Sequence, residues 1–301
     1  MPKIVVTQNL QFTSSQKERL NKLGEVTFYD DVNNDPAEWL KRVSGFEIII
    51  SESFGLLQNL YKLKNCFVSI PFVALGKIDS DRLKKNKVII ANAPGCNKEA
   101  VCEWIIFMLL SLIRKIGYLT NSVSPTENFL EFSSGLKNSQ VVILGKGNVG
   151  SQVGAVCNSL GMQVSYYLKD DNLIDRVKEA DVIINCLSRN ESTEGLLNKL
   201  FFKSLKKGSY YITTSRPEIH DTEAMLDALA DGTLAGVADD CSSGKVGDAT
   251  DEYYKKIINH KGVLATPHIA WNTKSANDLG NDLAIDNIEA YLRGKPINLI
   301  F

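Results

Sequence analysis

Val141-Val142-Ile143-Leu144-Gly145-Lys146-Gly147-Asn148-Val149-Gly150 is the stretch on which the reading of this chain turns. Its first four residues are apolar and mostly β-branched and predict a buried strand; the glycines follow without a spacer, and Val149, Val153, Val156 and Leu160 recur beyond them at helical spacing. Strand, glycine turn and helix in that order form a unit with a physical use. Gly145 permits the tight turn, Gly147 lets an anionic group approach the backbone, and Gly150 allows the helix to pack closely on the strand. Asn148 and Val149 open the helix, whose first N–H groups and positive dipole end face whatever sits on the loop. The unit predicts a dinucleotide site at Gly145, Gly147, Asn148, Val149 and Gly150; a glycine turn of purely structural purpose is the alternative.

Short β-branched runs alternate with helix-like stretches on both sides of this loop, the pattern of βα units in a parallel sheet. Before it, strands are predicted at Ile4–Thr7, Val26–Tyr29, Glu47–Ile50, Phe67–Ile70 and Val88–Asn92. Asp35-Pro36 is a helix start, with an oxygen acceptor at the cap and proline in the first turn. Residues 98–115, KEAVCEWIIFMLLSLIRK, read as an apolar helix buried at an interface, and Thr120 to Gln140 as a polar connecting loop. Further strands are predicted at Val141–Leu144, Val164–Leu168, Val182–Cys186, Tyr210–Thr213, Ala235–Ala238 and Val263–Thr266, a series that fits a doubly wound α/β sheet.

A chain of 301 residues is about twice the common domain size, which predicts two domains or one large one. Lys plus Arg, 34, nearly cancel Asp plus Glu, 35, so global charge gives no reason to expect nucleic acid or an anionic membrane as partner, and a small molecule is the better expectation. No run approaches the roughly 20 apolar residues of a membrane span. The start MPKIVVTQNL lacks the basic region and cleavage site of a secretory signal, so the expected compartment is the cytoplasm. Six cysteines, scattered without a CxxC pair, suggest neither a zinc site nor a disulfide framework, and no metal is expected.

An acidic residue at the end of the second strand of a dinucleotide fold accepts hydrogen bonds from the adenosine ribose of NAD. Here Leu168 holds that slot and Lys169 follows, so NAD and NADP both stand as cofactors: Lys169 meets a 2′-phosphate or is a solvated loop charge. His268, one of only three histidines, and Arg216 lie just past two other predicted strand ends, where sites form in open α/β sheets. A guanidinium clamps a carboxylate bidentately, and a histidine exchanges a proton near pH 7; the bland readings are a surface arginine and a histidine satisfied by backbone.

With these residues in order, the chain resembles the D-isomer-specific 2-hydroxyacid dehydrogenases, a family that includes glycerate, phosphoglycerate and D-lactate dehydrogenases. The resemblance rests on Asn92-Ala93-Pro94-Gly95 to Glu103, the loop Gly145–Gly150, Leu205-Lys206-Lys207-Gly208 through Ser215-Arg216, Asp231-Gly232-Thr233-Leu234-Ala235-Gly236 through Asp240, and Thr266-Pro267-His268-Ile269-Ala270 with Thr273. It implies two doubly wound parallel-sheet domains: a flavodoxin-like substrate domain from residues 1–97 and 288–301, and a Rossmann NAD(P)-binding domain from residues 98–287. It also implies that Arg216 binds the carboxylate and carbonyl of a 2-oxo acid or D-2-hydroxy acid, that His268 is the acid/base, and that both face the nicotinamide. Asp240 would contact the nicotinamide end, Ser188, Thr193 and Thr214 would lie along the cofactor, and residues 98–115 would join a homodimer.

Three departures from the family pattern bear on function. The family's glutamate, five residues past the aspartate, pairs with the histidine; counting from Asp240 reaches Lys245, and Asp248 is the nearest carboxylate that a shifted loop would bring to His268. Where the family has a glycine-rich carboxylate loop, this chain has Phe72-Val73-Ala74, expected to line the substrate or to have become core packing. Pro217 follows Arg216 and biases it toward extended angles. Besides a working oxidoreductase, these changes leave open an NAD(P)H-binding sensor or scaffold with weak or lost catalysis.

Overall fold

The computed structural model describes residues 1–33, 35–116, 135–242 and 246–300. The chain divides into two compact units, Met1–Asn97 with Asn272–Phe301, and Lys98–Trp271.

The first unit is a five-stranded parallel sheet of β1 (Lys3–Val6), β2 (Glu25–Phe28), β3 (Ile48–Ile50), β4 (Cys66–Ser69) and β5 (Val88–Ala91), in the order β2-β1-β3-β4-β5. That order is flavodoxin-like. Its helices are α1 (Ser14–Leu23), α2 (Pro36–Arg42), α3 (Ser53–Asn59), α4 (Ser80–Lys85) and the returning α11 (Lys274–Leu292). The predicted helix start holds: Asp35 accepts from the Ala37 amide at 2.9 Å, with Pro36 in the first turn. Alternate residues of each strand face opposite layers. Val5, Ile49, Val68 and Ile90 pack with Trp39 and Leu56 on one side; Ile4, Ile48, Ile50 and Phe67 pack with Leu20 and with Ala284, Ile285 and Ile288 of α11 on the other.

The second unit is a six-stranded parallel sheet of β6 (Gln140–Leu144), β7 (Gln163–Tyr167), β8 (Val182–Asn185), β9 (Ser209–Thr213), β10 (Leu234–Asp239) and β11 (Val263–Ala265), in the order β11-β10-β9-β8-β6-β7. Helices α5 (Lys98–Ile113), α6 (Asn148–Ser159), α7 (Leu173–Val177), α8 (Lys199–Lys203), α9 (Thr222–Ala230) and α10 (Glu252–Ile258) cover it. Strand order reverses where β8 and β7 lie on either side of β6, and ligands of such sheets bind outside the carboxyl ends at that point.

All eleven predicted strands form, with ends shifted by about a residue. The expected crossing at residue 288 lies instead at Asn272, because α11 is one unbroken helix whose buried face belongs to the first unit. Most of the predicted loop from Thr120 lies outside the described residues, and Gln140 already begins β6. Helix α5 buries Val101, Cys102, Ile105, Leu109 and Leu112 within its own unit, while Phe107 is 64% exposed. Among the described residues no helix is long and apolar enough to cross a membrane.

Ile285 and Ile288 are fully buried and fasten α11 to its sheet. Ile288→Ala is expected to lower unfolding free energy by about 2–5 kcal/mol, read by urea denaturation of the full chain.

Candidate active site

The glycine loop has the geometry its sequence predicts. Gly145 turns at φ +92°, and its amide donates to the Tyr167 carbonyl at 3.1 Å. A Cβ on Gly150 would stand 2.1 Å from the Gly145 carbonyl oxygen, so any side chain there pushes strand and helix apart. A Cβ on Gly147 would meet nothing within 4 Å, which leaves that side of the loop open to a ligand. The first intrahelical bond runs from the Ser151 amide to the Gly147 carbonyl at 2.9 Å, so the amides of Asn148, Val149 and Gly150 precede the helical ladder. An open approach over Gly147 and uncommitted amides at a helix start fit a pyrophosphate.

At the end of β7, Leu168 is 50% exposed and Lys169 is exposed beside it. Asp171 accepts from Arg176 at 2.9 Å and from the Leu168 amide at 2.8 Å; the Arg176 hydrogen bond, more than the amide, holds its carboxyl below the usual range. That carboxylate is committed to its own loop. Beyond β8, the Ser188 carbonyl accepts from the Thr193 hydroxyl at 2.8 Å, and the same hydroxyl accepts from the Asn190 amide at 2.9 Å, so buried Thr193 ties the loop to itself. Thr214 is half-buried just past β9, and the next residue, Ser215, donates to the Leu187 carbonyl at 2.5 Å.

Arg216 and His268 are brought together. Arg216 Nη1 lies 3.1 Å from His268 Nδ1 and 3.3 Å from Nε2. His268 sits in the left-handed backbone region at φ +57°, a conformation that the surrounding structure must enforce. Asp240 supplies that enforcement. Its carboxylate accepts from the Thr266 hydroxyl at 2.5 Å, the Ile269 amide at 2.8 Å and the Ala270 amide at 2.8 Å, which brackets His268 on both sides. Burial pushes the Asp240 carboxyl up to about 6 despite these three donors. Burial, and then the Arg216 charge, push His268 down to about 4.

The remaining expected residues are placed as follows. Asp248 Oδ1 accepts from the Thr250 amide and hydroxyl at 2.8 and 2.6 Å, while the His268 ring faces Arg216; Lys245 lies outside the described residues. In the first unit, Phe72 is partly buried against the core, Val73 is 37% exposed, and their carbonyls accept from the Ala93 amide and the Asn92 side chain. Ala74 is exposed beside them. The bracket formed by Asp240 was missed in the sequence, because its amide partners stand 29 and 30 residues away. The only local signal was an Asp-Asp pair closing a strand.

Two parallel α/β units, with an open glycine loop and an arginine–histidine pair beyond the carboxyl ends of one sheet, fit a dinucleotide-binding fold. Residues 106–270 match the family described as D-isomer specific 2-hydroxyacid dehydrogenase, NAD binding domain, and the chain belongs to that family. It is 25% identical over 306 residues to a hydroxypyruvate reductase of Blautia hydrogenotrophica, covering 93% of each protein. It is likewise 25% identical over 282 residues to a glycerate dehydrogenase of Methylorubrum extorquens, covering 88% of each. Its fold is like that of a solved acyclic imino acid reductase in complex with NADPH and D-Arg, at a TM-score of 0.82, 22% identity and coverage of 99% of this chain and 100% of that one. The protein is a hydride-transferring oxidoreductase of this family, and the matched domain is the family's NAD-binding one.

Two substitutions test the geometry. Gly150→Val should weaken NADH and NADPH binding at least about tenfold in a fluorescence titration, since the loop must open to admit the side chain. Asp240→Asn presents an amide NH₂ to donors and should cost about 1–3 kcal/mol in denaturant unfolding.

Proposed function

We propose that this protein interconverts a 2-oxo acid and a D-2-hydroxy acid, with Arg216 holding the carboxylate and polarising the carbonyl and His268 moving the proton. The carrying observation is the Arg216–His268 approach at 3.1 Å. Gly145, Gly147 and the amides of Asn148, Val149 and Gly150 would hold the pyrophosphate, with Ser188, Thr193 and Thr214 along the cofactor and Asp240 near its nicotinamide end. The nicotinamide, when bound, supplies or receives the hydride. Lys169 would meet a 2′-phosphate, and a comparison of NADH with NADPH binding reads that choice.

Burial, and then the guanidinium charge beside the ring, disfavour a second proton on His268. In the neutral form His268 is a base, ready to take the hydroxyl proton of a 2-hydroxy acid. A substrate carboxylate on Arg216 offsets the guanidinium charge and makes the imidazole easier to protonate, as reduction requires. The pair therefore responds to the anion it is built to bind.

Supporting a homodimer through residues 98–115 are Phe107 and Leu110, exposed apolar side chains on α5. A cytoplasmic location accords with six unpaired cysteine thiols. A sensor or scaffold is the second reading; it is favoured by the depressed His268 pKa, and it predicts NAD(P)H binding without turnover.

The assay is NADH or NADPH oxidation with glyoxylate, hydroxypyruvate and longer 2-oxo acids. Arg216→Gln should lower kcat/KM about 10²–10³-fold and His268→Gln about 10²–10⁴-fold. With His268 titrating at about 4 in the free protein, kcat/KM for hydroxy-acid oxidation should rise with pH and level off above that point. Reduction should instead fall about tenfold per pH unit above it. A limb near 6.5 in both directions would sink this account of the pair.

A further inference from the structure

Beneath the Arg216–His268 pair lies a second polar group that the mechanism above does not use. His220 Nε2 lies 2.8 Å from the Tyr253 hydroxyl, the Tyr253 hydroxyl donates to Asp239 Oδ2 at 2.6 Å, and Asp239 Oδ1 accepts from the Cys241 amide at 2.6 Å. The His220 and Asp239 side chains are wholly inaccessible, and Tyr253 is buried with them. Because the tyrosine proton points to Asp239, His220 donates through Nε2, which leaves its buried Nδ1 without a partner. Burial likewise disfavours a second proton on that ring. A core that needed only volume would do as well with apolar residues, which avoid the cost of desolvating a carboxyl and an imidazole.

The two ends of this chain of hydrogen bonds stand on the two segments that carry the active pair. His220 ends the short turn that begins at Arg216, where the Ile219 amide bonds the Arg216 carbonyl at 3.1 Å and the His220 amide bonds the Pro217 carbonyl at 3.3 Å. Asp239 is the last residue of β10. Its carbonyl accepts from the Thr266 amide at 2.9 Å, and its neighbour Asp240 brackets His268. Side chains alternate along a strand, so the two aspartates work on opposite faces of β10, one on the interior chain and one on the histidine loop.

We propose that Tyr253, with His220 and Asp239, is a positioning residue that ties the Arg216 turn to the His268 loop and so sets the arginine–histidine distance. The role of that distance in turnover rests on the dehydrogenase reading above; the distance itself does not.

Tyr253→Phe keeps the ring and removes the link. The variant should bind NADH and NADPH within about twofold of the unaltered protein, because the glycine loop is untouched. It should reduce 2-oxo acids about tenfold to a hundredfold more slowly in kcat, with KM little changed, as expected when reacting groups are misplaced by a fraction of an ångström. With the guanidinium released, the His268 ring should titrate higher than in the unaltered protein, read from its C–H resonances by NMR and assigned with His268→Gln. His220→Gln retains a donor and should preserve both readouts; His220→Leu should repeat the Tyr253→Phe loss. An unchanged kcat and unchanged ring titration in Tyr253→Phe overturn the inference, whatever happens to Tm. If Tyr253→Phe does not fold, the two His220 variants decide: different His268 titrations support the link, and equal ones overturn it. The ring titration needs neither cofactor nor turnover. An unaltered protein inactive on every 2-oxo acid therefore refutes the dehydrogenase reading while leaving this inference to be judged by NMR.

Discussion

Arg216 Nη1 lies 3.1 Å from His268 Nδ1 and 3.3 Å from Nε2, which sets a permanent positive charge against the imidazole ring. Much of the second unit can be understood as what is needed to hold that arrangement against its cost. The imidazole is partly desolvated and faces a positive charge, two effects that act in the same direction on its protonation. The backbone beneath it occupies the left-handed region, which a β-carbon disfavours by about 1–2 kcal/mol. Asp240 offsets the backbone cost with three accepted hydrogen bonds that span the loop from Thr266 to Ala270, alongside the bond from the His268 amide to the Thr266 carbonyl at 3.0 Å.

Asp240 is in turn fixed by the sheet. Its amide donates to the Thr213 carbonyl at 3.0 Å, continuing the β9–β10 ladder one residue past the strand end, so the carboxylate that brackets the histidine is registered to the strand leading to Arg216. Parallel register thus delivers two distant sequence segments to one edge, and the alternation of the strand sends Asp239 inward while Asp240 faces the loop. Loops carry the chemistry, but consecutive residues of one rigid strand set their spacing.

The sequence made the sheets legible because their strands are continuous β-branched runs: Ile48–Ile50 and Val182–Asn185 are buried at every position, as parallel strands covered on both faces must be. The glycine loop was equally legible, since each glycine answers a local steric demand. The crossing back to the first unit was not. Helix α11 buries small or separated residues, Ala276, Gly280, Ala284 and Ile288 among them, and nothing in that spacing says which of two sheets will receive it. The dependence of His268 on Asp240, and of Asp239 on Tyr253 and His220, was hidden for a related reason: the partners lie from 14 to 33 residues apart, and side-chain hydrogen bonds between separate segments leave no periodicity.

The two aspartates closing β10 show how burial and hydrogen bonding divide the work. For Asp240, desolvation outweighs three donors and moves the carboxyl up to about 6, above the ordinary 3.8. The folded state therefore holds this proton more tightly than the unfolded chain, and the contribution of Asp240 to stability declines as pH rises from about 4 to about 6. Near neutral pH the carboxylate is ionised and accepts every donor that the histidine loop offers. An asparagine would avoid the desolvated charge but would bring two N–H donors of its own against them. The residue that costs most to bury is thus the one whose acceptor count matches the loop, and the loop is what gives His268 a fixed place beside Arg216.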